Sequence, residues 1–138
     1  MLDAAKLQIS ESIFLNHKTA TAIDSTSEYV LAGMEDGIVK VFDLRQQATK
    51  AQSVIVYECH QKWVSQVKCH PQSENVFLTA GYDGKVKMWD LRNQKDALST
   101  LKRQAATDKD KVFATCWNGS DQILSGGTDS HISVHELA

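Results

Sequence analysis

One unit recurs three times along this chain at a nearly constant spacing, and this recurrence constrains the fold more than any other feature. The central copy spans residues 76–92 and reads VFLTAGYDGKVKMWDLR, with related copies at residues 30–45 and 123–137. The aspartates at the middle of the three copies are Asp36, Asp83 and Asp129. They lie 47 and 46 residues apart. Apolar and polar residues alternate on both sides of each aspartate, which is the period of two expected for strands. A repeat of this length predicts a row of similar small sheets that bury their faces against each other.

The turn of the central copy contains Asp83-Gly84. An Asp-Gly pair between two strand-like segments is a strong hairpin signal, because a two-residue hairpin turn requires positive φ and glycine adopts it readily. We therefore predict a two-residue turn at this point.

Composition and charge exclude several classes of protein. The chain has 138 residues, of which 42% are hydrophobic and 23% charged, as expected of a globular domain with a core. Its net charge of −2 gives no general electrostatic argument for nucleic-acid binding. No apolar run approaches the ~18 residues that a membrane span needs, and residues 1–15 are too charged for a secretory signal. We expect the three cysteines, Cys59, Cys69 and Cys116, to be reduced thiols in a cytosolic or nuclear protein.

The repeat length, together with the ending Trp89-Asp90 of the central copy, resembles the WD40 family. This resemblance implies an all-β propeller whose blades are four-stranded antiparallel sheets. We predict twelve strands in about three blades, which is a partial WD40 propeller over residues 1–138. The predicted parts are residues 1–15, an outer strand that closes or precedes a blade, then blades at residues 16–58, 59–102 and 103–138.

In WD40 blades a His, a Ser or Thr, the turn Asp and the Trp form a hydrogen-bonded tetrad, and the central repeat matches this pattern best. The matching residues are His60, Thr79, Asp83 and Trp89. Such a set leaves no buried polar group without a partner. We interpret the tetrad as structural and not as a catalytic His/Asp/Ser set.

The first repeat matches the tetrad less well. It retains Asp36, but Ala32 replaces the hydroxyl residue, Phe42 replaces the Trp, and His17 lies one residue away from the aligned position. We expect this blade to be held mainly by apolar packing.

The third repeat also departs from the pattern. It retains Ser125 and Asp129, but Asp108 stands at the His position and His135 at the Trp position. We expect apolar packing to dominate here as well.

Two Cys-His pairs raise the question of a metal site. Cys59-His60 and Cys69-His70 could supply four ligands, as tetrahedral zinc requires. However, neighbouring residues on a strand point to opposite faces, so such a dipeptide rarely chelates. We predict no metal, no cofactor and no catalytic residue.

A short basic loop precedes the third repeat. Its cations are Lys102, Arg103, Lys109 and Lys111. It is either a solvated loop or a contact for pre-rRNA phosphates or an acidic partner.

Two longer segments resemble one branch of the family. Residues 60–92 and residues 110–137, the latter with KVF at its start and a GG-x-D turn, look like the last blades of the WD40 subunit of the pescadillo–block-of-proliferation (PeBoW) complex. The resemblance implies a nucleolar and nucleoplasmic scaffold without catalytic activity, which assembles the large ribosomal subunit and supports pre-rRNA processing. It further implies a block-of-proliferation-type WD40 protein and pescadillo as partners. The alternatives are a WD40 adaptor of a ubiquitin ligase or chromatin complex and, less favoured, a propeller enzyme.

The candidate protein-binding surface is the rim that carries the turns. Glu35, Tyr82 and Thr128 each precede a turn aspartate, so we expect them to lie side by side, with Trp63 next to them. An exposed aromatic residue is a typical hot spot of protein interfaces. The alternative interpretation is that Trp63 is partly packed core.

Three blades are fewer than the four or more that closed propellers typically have. Two outcomes are expected. In the first, the chain forms part of a larger propeller whose other blades lie on another segment. In the second, it self-associates, with the strand at residues 6–15 completing the last blade of another copy. We favour the first.

Overall fold

A computed structural model describes residues 8, 12–43, 45, 55–101, 103 and 109–137. The described residues contain eleven strands and no helix, which confirms the prediction of an all-β fold. The strands are β1 (Ala20–Ser25), β2 (Tyr29–Met34), β3 (Ile38–Asp43), β4 (Ile55–Glu58), β5 (Val64–Cys69), β6 (Val76–Gly81), β7 (Val86–Asp90), β8 (Ser99–Leu101), β9 (Val112–Asn118), β10 (Gln122–Gly127) and β11 (Ile132–Glu136).

The strands form three antiparallel sheets in chain order, which we call the first, second and third blade. The first contains β1–β4, the second β5–β8, and the third β9–β11 among the described residues. In every blade the chain meanders from one strand to the next neighbour. Each sheet has one apolar face or two, and stacking the blades side by side buries the faces that lie between neighbouring blades.

The hairpin turns differ from the predicted two-residue type. In the second blade the Gly84 N–H donates to the Gly81 carbonyl at 3.2 Å, and Gly84 has φ +81°. The preceding Asp83 has no positive φ. The connection is thus a tight turn followed by one left-handed residue, in which only glycine needs the unusual backbone conformation. Gly37 occupies the equivalent place in the first blade with φ +87°, and Ser130 does so in the third with φ +63°.

Two apolar clusters bury the faces between adjacent blades. The larger one joins the first and second blades through Leu31, Val39, Val41, Tyr57, Cys59, Val64, Val67, Phe77 and Trp89. The other joins the second and third blades through Leu78, Ala80, Val86, Val112 and Ile123. The alternation along β2, β6 and β10 places these side chains on opposite faces of the sheets, as the period of two predicts.

Hydroxyl groups join the first strands of neighbouring blades. These strands are β1, β5 and β9, and we call them the inner strands. The Thr21 hydroxyl on β1 donates to the Val64 carbonyl on β5, and the Ser65 hydroxyl on β5 donates to the Val112 carbonyl on β9. The same contact therefore recurs at both blade junctions, and it fixes the start of each inner strand against the next one.

The segment before the first blade packs against it. The predicted strand at residues 6–15 lies mostly outside the described residues, and residues 12–15 are not in a strand. Ile13 and Leu15 contact the apolar cluster of Ala32, Met34 and Phe42 on the outer face of the first blade. Apolar packing thus dominates that face, as expected for a repeat without a full tetrad.

The third blade leaves an apolar face in solvent. Ile132 and Val134 on β11 are 81% and 57% exposed, and β11 is the edge of the described sheet. The part of the chain that the structure describes contains no helix with the length and apolar character that a membrane crossing requires.

Candidate functional site

The structure brings the four tetrad residues of the second blade together in a continuous hydrogen-bonded chain. His60 Nδ1 lies 2.9 Å and 3.1 Å from the two carboxylate oxygens of Asp83, and His60 Nε2 lies 2.8 Å from Thr79 Oγ1. The Trp89 indole N–H donates to the same Thr79 oxygen at 3.0 Å. Because a carboxylate only accepts, His60 Nδ1 carries a proton and donates it to Asp83.

Burial separates this set from a catalytic triad of similar composition. The His60 side chain is 0% exposed and Thr79 is also 0% exposed, so no substrate reaches the hydroxyl. Burial raises the pKa of Asp83, but the hydrogen bond and charge of His60 and the N–H groups of Gln61 and Lys85 outweigh it, so the pKa lies below its usual value. The carboxylate therefore stays ionised and holds the imidazole in place.

Gly81 makes room for the imidazole ring. A Cβ at this position would lie 2.6 Å from His60 Cγ and 2.6 Å from His60 Nδ1, which is closer than side-chain atoms approach. The glycine at the end of β6 is therefore part of the tetrad's geometry, although the sequence pattern did not single it out.

The third blade has apolar contacts through Val112 and Ile123, as expected, and in addition a buried polar network that the sequence pattern did not predict. The Arg103 guanidinium donates to Asp129 at 2.6 Å and 3.2 Å, to Ser125 Oγ at 2.6 Å and to the His131 carbonyl at 2.7 Å. The Arg103 and Asp129 side chains are 1% and 2% exposed. The hydrogen bond of Arg103 and, to a lesser extent, its charge hold the pKa of Asp129 below its usual range. Asp108, the residue predicted at the His position, lies outside the described residues.

His135 stands at the position of the tetrad Trp in the third blade. Its Nε2 atom is buried and has no hydrogen-bond partner among the described residues. Burial lowers the pKa of His135, and the nearby Arg103 charge lowers it further. The His135 ring therefore packs beside the Arg103 guanidinium and takes no part in the hydrogen bonds of the network.

The basic loop before the third repeat does not present Arg103 to a partner. Both interpretations of the basic loop, a solvated loop and a contact for RNA phosphates or an acidic partner, require an exposed Arg103, but its side chain is buried in the ion pair with Asp129. Lys102 lies outside the described residues. Lys109 and Lys111 are exposed, and the Lys111 ammonium lies 4.9 Å from the centroid of the Tyr82 ring, which is a cation–π contact.

The backbone places the predicted rim residues in equivalent positions. The Glu35 N–H donates to the Thr19 carbonyl at 3.0 Å, and the Tyr82 N–H donates to the Trp63 carbonyl at 2.9 Å. In the third blade the Thr128 N–H donates to the carbonyl of Lys111 at 2.9 Å. Each turn is thus tied to the residue that precedes an inner strand.

The rim residues differ in the exposure of their side chains and in the hydrogen bonds that these side chains make. Glu35 accepts from the Thr19 N–H at 3.4 Å, and the Thr128 hydroxyl accepts from the Lys111 N–H at 2.8 Å. Trp63 is 47% exposed, and its ring stacks on Tyr82 at 5.8 Å with an interplanar angle of 11°. Trp63 and Tyr82 therefore offer the free apolar surface of the rim.

Phe113 extends this pair across the junction of the second and third blades, and the sequence pattern did not single it out. Its ring contacts Tyr82 edge to face at 5.4 Å and is 47% exposed. Aligning the inner strands places it where the first two blades have the hydroxyl residues Thr21 and Ser65. We call the cleft between these rings, with a volume of about 290 Å³, the aromatic cleft. Its lining residues are Thr21, Trp63, Val64, Ser65, Tyr82 and Phe113.

Metal binding finds no support in the described part of the chain. No group of three or more His, Cys, Asp or Glu residues lies together there. His60 is engaged in the tetrad, and Cys59 is buried, which raises the pKa of its thiol to about 12. Burial and the neighbouring Asp24 likewise raise the pKa of Cys69 to about 12.

Comparison with known proteins agrees with this geometry. The family model described as "WD domain, G-beta repeat" matches residues 10–43 and 51–90, which is more than half of the chain. A "Ribosome biogenesis protein WDR12 homolog" of Arabidopsis thaliana is 36% identical over 109 residues, which cover 79% of this chain and 24% of the relative. The homolog of the same name in Oryza sativa subsp. japonica is 33% identical over 109 residues, with the same coverage.

A fungal relative has the same coverage pattern. The "Ribosome biogenesis protein YTM1" of Candida albicans is 29% identical over 107 residues, or 78% of this chain and 23% of the relative. The chain thus spans about a quarter of the length of the curated relatives it matches.

Proposed function

Because the chain belongs to the WD-domain, G-beta repeat family, we propose that it is a non-catalytic protein-binding scaffold that acts in the assembly of the large ribosomal subunit. The names of its relatives support the process, since each is called a ribosome biogenesis protein. The chain covers about a quarter of those relatives, so their whole-length activity is an inference for this chain.

One observation carries the binding role, namely the half-exposed Trp63 stacked on Tyr82. Aromatic pairs of this kind are normally packed inside a protein, and exposed ones concentrate at interfaces. The rim therefore offers an anchor for a partner, with Glu35 and Thr128 on its flanks. The buried tetrad supports the scaffold and provides no reactive group at the surface.

The partners follow from the resemblance to the PeBoW subunit. A block-of-proliferation-type WD40 protein and pescadillo are the proposed ones, and the nucleolus and nucleoplasm are the proposed location. A contact with pre-rRNA would have to use Lys109 or Lys111, because Arg103 is engaged inside the third blade.

Affinity purification followed by mass spectrometry tests this function. The tagged chain should enrich assembly factors of the large subunit, and Trp63→Ala should reduce that enrichment. Leu98→Ala is the matched control, since Leu98 is 49% exposed but lies outside the rim. Enrichment of ubiquitin-ligase subunits or histones in place of assembly factors would contradict the proposal and support another WD40 adaptor.

A further inference from the structure

Three aromatic rings form much of the lining of the aromatic cleft, and polar groups line it as well. The Thr21 and Ser65 hydroxyls in its lining donate to carbonyls of the next inner strand, so they are already used. The rings of Trp63, Tyr82 and Phe113 supply the remaining walls. A cleft of about 290 Å³ with such walls accepts one bulky apolar side chain.

Three lysines belong to the segments that carry the rings of this cleft, although the whole chain carries a net charge of −2. Lys62 precedes Trp63 and is exposed, Lys85 is exposed on the turn that carries Tyr82, and the Lys111 ammonium lies over the Tyr82 ring.

The carboxylates of the two adjoining turns do not cancel these cations. Asp83 is held by His60, and Asp129 is held by Arg103. Asp110, next to Lys111, adds a negative charge and accepts from the Thr128 hydroxyl at 3.1 Å. The three lysines of this junction outnumber it.

We propose that the aromatic cleft binds an acidic peptide segment of a partner protein, with one aromatic or bulky aliphatic side chain of the peptide inserted among Trp63, Tyr82 and Phe113. The carboxylates of the peptide pair with Lys62, Lys85 and Lys111. This inference rests on the proposed scaffold function and specifies the chemistry of the partner at the rim.

The geometry favours a peptide over single-stranded RNA. Proteins that bind single strands stack successive bases on a row of rings along a basic groove. Here the rings of Trp63, Tyr82 and Phe113 line one cleft and do not form a row of separate stacking platforms. Arg103, whose guanidinium could hold a phosphate, is buried.

Fluorescence polarisation with the full chain tests the proposal. The probe is a short labelled peptide of alternating Glu and Gly with one central Phe. Two comparison peptides replace the Phe by Ala or each Glu by Lys, and a labelled oligouridine replaces the peptide altogether. We expect the acidic Phe peptide to bind most tightly and removal of its Phe to weaken binding about tenfold or more.

Protein variants locate the binding. Trp63→Ala and Phe113→Ala should each weaken binding of the acidic Phe peptide about tenfold, and Leu98→Ala should leave it unchanged. Lys85→Gln with Lys111→Gln should weaken binding and reduce its salt dependence, because fewer charges are paired. If Trp63→Ala or Phe113→Ala lowers the melting temperature, the double variant of Lys85 and Lys111 provides the test.

Three results would overturn the proposal. They are tighter binding of oligouridine than of the acidic Phe peptide, equal affinity for the Phe and Ala peptides, and unchanged binding in both Trp63→Ala and the lysine pair. Enrichment of assembly factors without peptide binding would refute this inference alone. Peptide binding without such enrichment would refute the ribosome-assembly role alone.

Discussion

Replacing Asp83 by Ala should destabilise the protein by about 1–3 kcal/mol, because it removes the partner of a buried donor. Asp83 accepts from His60 Nδ1 and from the N–H groups of Lys85 and Gln61, at 3.2 Å and 3.3 Å respectively. Lys85 and Gln61 are exposed, so water replaces the carboxylate there at small cost. The His60 side chain is 0% exposed, so its proton has no alternative partner, and this single loss sets the magnitude.

Asp36→Ala is the matched control in the first blade. Asp36 occupies the same turn position but, among the described residues, it accepts only from the Ile38 N–H at 3.2 Å and pairs with Lys18 at 3.9 Å. Its side chain is 28% exposed and that of Lys18 51%, so the pair is solvated and its loss should cost about 1 kcal/mol or less.

Urea unfolding followed by circular dichroism measures both variants. The midpoint of Asp83→Ala should fall clearly more than that of Asp36→Ala. His60→Ala should also cost about 1–3 kcal/mol, and the double variant with Asp83→Ala should cost less than the sum of the two. Equal midpoint shifts for Asp36→Ala and Asp83→Ala would refute the assignment of stability to the buried network.

The same network makes stability depend on pH. The pKa of Asp83 in the folded protein lies below its ordinary value of 3.8, because hydrogen bonds and the charge of His60 outweigh burial. A depressed folded-state pKa stabilises the protein fully above the unfolded-state pKa, and this stabilisation is lost as the pH falls through the folded-state pKa. Below about pH 4 the wild type should therefore lose stability more steeply than Asp83→Asn, in which this position does not titrate. Parallel acid-unfolding curves would contradict this.

Three further variants or reagents probe the rest of the structure. Arg103→Lys should lower the melting temperature clearly more than Arg92→Lys, because an ammonium cannot make the four hydrogen bonds of the buried guanidinium, whereas the Arg92 side chain is 73% exposed; equal shifts in calorimetry would contradict this. Gly81→Ala should destabilise through a clash with the tetrad, whereas Gly126→Ala adds a Cβ with nothing within 4 Å, so thermal melts that rank them in reverse would refute the close packing. Iodoacetamide followed by peptide mapping should label the exposed Cys116 before the other two thiols, and first labelling elsewhere would be inconsistent with the burial described.

Local, regularly spaced features of the fold were predictable from sequence. The strands alternate with a period of two, and the hydroxyl and Trp positions of the tetrad stand at constant offsets from the turn aspartate, so one hairpin aligns with the next. Asp83 and Thr79 could both be assigned to the tetrad in this way, because they belong to one hairpin and the alternation defines its register.

Arg103 and Phe113 could not be assigned in the same way, for different physical reasons. A long guanidinium reaches from the end of β8 into the tetrad position, so a fixed offset from the inner strand selected Asp108 in its place. Phe113 can be recognised only when the inner strands are aligned, because it then occupies the position of Thr21 and Ser65 in the other two blades. Side chains that reach across blades depend on tertiary packing, which residue spacing along the chain does not report.

Co-sedimentation with pre-ribosomal particles tests the central claim most directly. Extracts that contain the tagged chain are separated on a sucrose gradient, and the chain is quantified in the fractions of large-subunit precursors. The account predicts that the wild type and Leu98→Ala co-sediment with these precursors, and that Trp63→Ala with Tyr82→Ala shifts to the light fractions while keeping the wild-type circular dichroism spectrum. A wild type that stays entirely in the light fractions, or a rim variant that still co-sediments fully, would contradict it.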